Sequence, residues 1–217
     1  MTIPKRAAEL LGASLGLSLA LLLATTSTVR AADENREPAL KYRCEVGGRV
    51  FVITEGEPLK LAGVPGDPTI TIRPEPFREF TYGDVKFRYP SHFTFEADTA
   101  DADTKHWTLS GNDFKIMYFV IQDDVSDAQY VGAMVGQFGE DSCTQSKTSI
   151  TLNKQQYAGT RLKVTIAGNA MSMDVFRIGS GKQTRLLVLQ DNPDDDGKPS
   201  AEGRATLAAL EKSFVAE

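Results

Sequence analysis

The shortness of the gaps between its β-prone runs is what most restricts the fold open to this chain. From residue 80 onward, VKFRYP, FTFEAD, KHWTLS, FKIMYFVI, TSITL, RLKVTIAG, MSMDVFRIG and TRLLVLQ follow one another, most of them separated by only a few turn residues. Such gaps close hairpins, whereas a parallel pair needs a crossover of roughly a dozen residues or more. A largely antiparallel sheet is therefore expected. Alternation within the runs agrees: Val85, Phe87 and Tyr89 fall on one face against Lys86 and Arg88, and Phe93 shares a face with Phe95. The run at 114–121 is apolar almost throughout, which marks a central strand covered on both sides.

Two stretches supply helical cover. Ser126 and Gln129 form a capping-box pair, Ala128, Val131, Met134, Val135 and Phe138 fall on one helical stripe, and Gly139 stands at the C-terminal stop. Gly132 and Gly136 have the GxxxG spacing, which in a soluble helix lets the backbone approach a sheet. The close SAEGRATLAALEKSF places Leu207, Leu210 and Phe214 at helical spacing behind Ser200 as N-cap. Strands, helix, strands, helix is an α+β order. The predicted core contains Phe119, Ile121, Val131, Phe138, Leu207 and Phe214.

Residues 1–31 read as an export signal. Lys5 and Arg6 precede an apolar core at 10–24, followed by small residues that place cleavage after Ala31 or Ala32. That core is shorter than the ~20 residues of a membrane-spanning helix, so no span is expected once it is removed. Cleavage after Ala31 removes Lys5, Arg6, Arg30 and Glu9, so 24 basic and 29 acidic residues become 21 and 28, and the net charge moves from −5 to −7. An acidic exported chain with no basic run argues against nucleic acid and anionic membrane surfaces as partners. The expected location is periplasmic or extracellular.

Residues 32–76 form an N-terminal extension. Residues 32–38 are polar and expected to be disordered. A β-hairpin follows, with strands up to Val46 and at 49–54 around Gly47-Gly48. Pro65, Pro68, Pro74 and Pro76 then make a connector rather than a strand, and the main domain spans 77–217. The chain has two cysteines, Cys44 and Cys143. Export and an even count predict a disulfide between them, worth about 4 kcal/mol for so long a loop.

The main domain resembles a known family. FTYGDVKFRYPSHFTFEAD with its aromatic-Pro step, a helix after a hydrophobic central strand, and the close LAALEKSF look like the fold shared by the PsbP subunit of photosystem II, the Ran-binding Mog proteins and many exported bacterial proteins of unassigned role. The resemblance covers roughly residues 77–214. It implies an α/β/α sandwich, with a largely antiparallel sheet covered by two helices, and a non-catalytic accessory or binding role. The cysteine-containing hairpin before the domain departs from that pattern.

Catalytic signatures are sparse. Within residues 32–217 GxSxG, HExxH and CxxC do not occur, and only His92 and His106 offer imidazole bases. GSGKQT at 179–184 lacks the upstream glycine and the following helix of a phosphate-binding loop, and reads as a turn. Met171 and Met173 share a strand face, a pattern that suits core packing better than copper(I). The stretch QDNPDDDGKPSAEG puts four aspartates at 191–196. As a calcium loop it would use Asn192, Asp194 and Asp196 as ligands one, three and five, but position twelve is Gly203, not a carboxylate. A solvated strand-to-helix turn fits better. The sequence thus leads to an exported non-catalytic binding or accessory protein without cofactor, with a protein or small molecule of the cell envelope as partner. The alternative is a small secreted hydrolase using His92 or His106.

Overall fold

The computed structural model describes residues 34–58, 66, 70–179 and 182–216. The predicted export signal lies outside these residues, as do parts of the connector and of the 179–184 turn. Three antiparallel sheets hold most of the described chain. The first contains β1 (Lys41–Val46), β2 (Arg49–Thr54) and β3 (Ile70–Pro74), in the order β2-β1-β3. The second is small: β4 (Phe77–Tyr82), β5 (Val85–Pro90) and the two-residue β13 (Val215–Ala216), in the order β13-β5-β4. The third is the main sheet, with strands β6 (Thr94–Asp98), β7 (Thr104–Ser110), β8 (Phe114–Ile121), β9 (Cys143–Leu152), β10 (Gln155–Ile166), β11 (Asn169–Arg177) and β12 (Thr184–Asp191). Its order is β6-β7-β8-β12-β11-β10-β9. The helices are α1 (Asp127–Phe138) and α2 (Ala201–Ser213).

Turn chemistry explains the hairpins. Gly47-Gly48 (φ 55° and 78°) and Asn153-Lys154 (φ 45° and 69°) both place two successive residues at positive φ. That is the two-residue turn whose twist matches right-handed strands. Asn153 also donates its backbone N–H to the carbonyl of Glu211, tying the β9–β10 turn to α2. Thr184, fully buried, donates its hydroxyl to the Asp123 carbonyl and accepts from the Val125 amide, which fixes the entry to α1.

The expected α/β/α sandwich is not formed. One face of the main sheet packs Leu162, Val164, Met173, Val175, Leu186 and Val188 against Val131 of α1. The opposite face packs against both α2 and the small sheet, with Phe80, Phe87, Trp107, Ile116, Leu187, Leu210 and Phe214 in one core. The physical reason is β4–β5. Phe80, Tyr82, Val85, Phe87 and Tyr89 all lie on one face of that hairpin and are buried. Such an apolar face seals a second sheet layer without needing a helix over it. Strand, not helix, is the main material of the fold. Within the predicted core, Val131 and Phe214 are buried, while Phe119, Ile121, Phe138 and Leu207 are partly buried against it.

The N-terminal extension departs from expectation twice. Ile70–Pro74 of the proline-rich connector is a strand, β3, antiparallel to β1. Pro74 is tolerated because it ends an edge strand, where the ladder loses nothing. Residues 34–38, expected to be disordered, form an ordered strap beginning with a turn at 34–35. Trp107 donates its indole N–H to the Glu34 carbonyl at 2.8 Å, a bond that composition alone does not announce.

Candidate functional site

The densest polar cluster surrounds the N-terminus of α2. Ser200 is the N-cap and accepts the Gly203 amide on its hydroxyl oxygen at 2.8 Å. That hydroxyl donates to Asp191 at 2.6 Å, and Asp191 also accepts the Ser200 amide at 3.1 Å. Glu202, two residues on in the first turn, takes His92 Nε2 on one carboxylate oxygen at 2.8 Å and the amides of Asp113 and Phe114 on the other, at 2.7 and 3.0 Å. Burial pushes the Glu202 carboxyl up, but the bonds from His92 and the two amides outweigh it and hold it below its ordinary value. Gly111 makes this approach possible: a Cβ there would lie 2.4 Å from the carboxylate of Glu202.

This cluster pairs an imidazole with an orienting carboxylate, which is two parts of a hydrolytic triad. The hydroxyl nearest Glu202 in sequence, Ser200, is directed at Asp191 and the Gly203 amide instead. His106 belongs to a different surface. It stacks on Phe119 at 5.5 Å on the α1 side of the main sheet, and Phe119 in turn meets Tyr130 at 5.5 Å. Burial pushes the Tyr130 hydroxyl up to about 12. The two histidines are therefore not parts of one site.

The aspartate loop has its own internal logic. Asp194 Oδ1 accepts the amides of Asp196 and Lys198 at 3.1 and 2.8 Å, and the Lys198 ammonium pairs with Asp196 at 3.1 Å. Asn192 donates its amide to the Asp113 carbonyl. The side chains of Asp194 and Asp196, two of the three calcium candidates, are thus engaged in building the turn, as self-bonding aspartates in turns do. Among the described residues no group of three His, Cys, Asp or Glu is arranged to hold a metal ion.

Cys44 and Cys143, the pair expected to bridge, are not bonded to each other in this structure. The reason is placement. Cys44 is buried in the central strand of the first sheet, whereas Cys143 opens β9 and packs against the α1 cluster. Met171 and Met173 also pack in that cluster. Gly132 and Gly136 do not contact the sheet: both are exposed and a Cβ would meet nothing within 4 Å.

One broad surface was not foreseen. Seven strands spaced about 4.8 Å apart span about 29 Å, whereas a helix with its side chains is about 10–12 Å wide. The single helix α1 lies over β10 and β11. On the same face, Thr94, Glu96 and Asp98 of β6 are exposed, and Thr108, Ser110, Lys115 and Met117 are half-buried. The polar residues of β6 and β7 at alternate positions were the available signal, readable only once the strand order is known.

No protein-family model matches the chain, and no curated protein matches it. A crystal structure from Pseudomonas aeruginosa, of a protein of unknown function described as a candidate regulator, covers 55% of this chain and 85% of its own. The two are 11% identical with a TM-score of 0.26, and a likeness that slight carries no argument about fold or function.

Proposed function

We propose that this chain is an exported, non-catalytic binding or accessory protein of the cell envelope. The observation that supports this reading is the β6–β7 edge of the main sheet, where Thr94, Thr108, Ser110 and the neighbouring Lys115 of β8 share the face on which α1 lies over β10 and β11. A sheet face that mixes hydroxyls and one ammonium suits contact with another molecule. The test compares parent and Thr108→Arg protein for ligands retained from envelope extract. A species retained by the parent and lost in the variant is the expected result; identical retention by both would remove this face from consideration.

The His92–Glu202 pair favours a second reading, a small hydrolase. Ester, phosphomonoester and glycoside substrates should give no turnover with the parent. Turnover that disappears in His92→Ala would replace the binding reading with the hydrolytic one.

A further inference from the structure

The strap crosses the seam between the small sheet and the main sheet, along β4 and β7. Five of its bonds to the body share one direction. Trp107 donates to the Glu34 carbonyl at 2.8 Å, Tyr82 to the Arg36 carbonyl, and Thr99 to the Asn35 side-chain oxygen at 2.7 Å. The Lys105 ammonium meets the Glu34 carboxylate at 2.6 Å, and the Arg78 guanidinium meets that of Glu37. In each of these contacts the body donates and the strap accepts. We propose that this seam is a binding site for a short acidic peptide of a partner protein, filled in the free chain by its own residues 34–37.

Burial is as asymmetric as the bonding. The side chain of Arg78 is 10% exposed and Trp107 is 1% exposed, against 40% and 47% for the side chains of Glu34 and Glu37, while Lys105 at 32% is nearly as open as the Glu34 it meets. The body therefore keeps a recessed set of donors, and the strap covers it with loosely held acceptors. Two more groups lie in the recess. Arg78 Nε is buried without a hydrogen-bond partner, and Tyr89 lies directly across from Arg78 in the β4–β5 register. Buried polar groups ordinarily find partners, and a guanidinium beside hydroxyls is suited to a carboxylate. The ligand is thus defined by chemistry: two carboxylates three residues apart, with accepting carbonyls between them.

Exchange is physically reasonable because half-exposed ion pairs hold the strap only weakly. What keeps it in place is its short tether to β1, which supplies a high effective concentration. A partner segment using the same bonds competes once the strap is weakened. Trp107 reports the competition directly, being the single tryptophan of the chain.

The experiment uses full-length protein carrying Glu34→Gln and Glu37→Gln, with synthetic peptide DENREP and its counterpart bearing Gln at both Glu positions. Tryptophan emission of the variant should shift to the red of the parent. DENREP should reverse that shift saturably, and the Gln peptide should bind more weakly by on the order of tenfold, the loss of charge-assisted hydrogen bonds. If the double variant loses its circular-dichroism strand signature, the single Glu34→Gln variant takes its place with the same readout. No emission change with DENREP, or equal responses to both peptides, would overturn the proposal and leave the strap a fixed part of the fold.

Discussion

Glu202 joins α2 to the loop after β5 and to the β7–β8 hairpin through one carboxylate. Its folded-state pKa lies below the ordinary value of 4.5 despite the opposing effect of burial. A depressed carboxyl stabilises the fold above its unfolded pKa, and that stability is lost as pH falls through the folded value. Glu202→Gln should therefore cost about 2 kcal/mol near neutrality. In urea melts the gap to the parent should narrow progressively below pH 4.5; a gap constant from neutral to strongly acid pH would show that the charge is unimportant. The sequence placed Glu202 in the first turn of α2, where a negative charge suits the helix dipole. His92, 110 residues away, could not be paired with it from spacing. Ser200 was legible as a cap because capping is local.

Helix α1 shows which parts of an element are encoded locally. Its capping box is formed as read, with the Ser126 hydroxyl accepting the Gln129 amide and the Gln129 side chain accepting the Ser126 amide. Val131 on its stripe is fully buried, so Val131→Asp should place an unpaired charge under the helix and cost several kcal/mol in thermal or urea unfolding. The glycines were misjudged. Gly132 and Gly136 face solvent, and neither has the positive φ that would justify a glycine. Gly132→Ala should therefore stabilise the protein by about 0.5–1 kcal/mol, the propensity difference in a helix interior. A lower melting temperature for that variant would mean that the helix sits closer to a neighbour than it does here. Spacing alone could not distinguish the two faces, since GxxxG repeats every turn whichever way it points.

At the scale of the whole molecule, Phe214 ties the layers together. Fully buried at the end of α2, it stacks on Phe87 of the small sheet at 6.1 Å and meets Tyr157 of the main sheet edge-on at 6.3 Å. Phe214→Ala should cost about 3–5 kcal/mol and lower a single cooperative transition, because the cavity opens where three elements meet. The two cysteines lie in different sheets, so both should react with a thiol reagent in the native protein, half-buried Cys143 quickly and Cys44, 2% exposed, only slowly or on unfolding. Intact mass two hydrogens below the reduced form would instead establish a bridge. By itself the sequence determined the strand runs, the antiparallel pairing, both helix caps and the turn at the aspartates. Each rests on alternation, hairpin length or a side chain bonding within a few residues. Only the tertiary structure decided that β4–β5 forms its own layer, that β3 pairs with β1, that the strap closes the seam and that Thr94, Glu96 and Asp98 of β6 stay exposed on the α1 face of the sheet. Those outcomes depend on which apolar faces meet across long sequence separations, and periodicity reports that a face exists without saying what covers it.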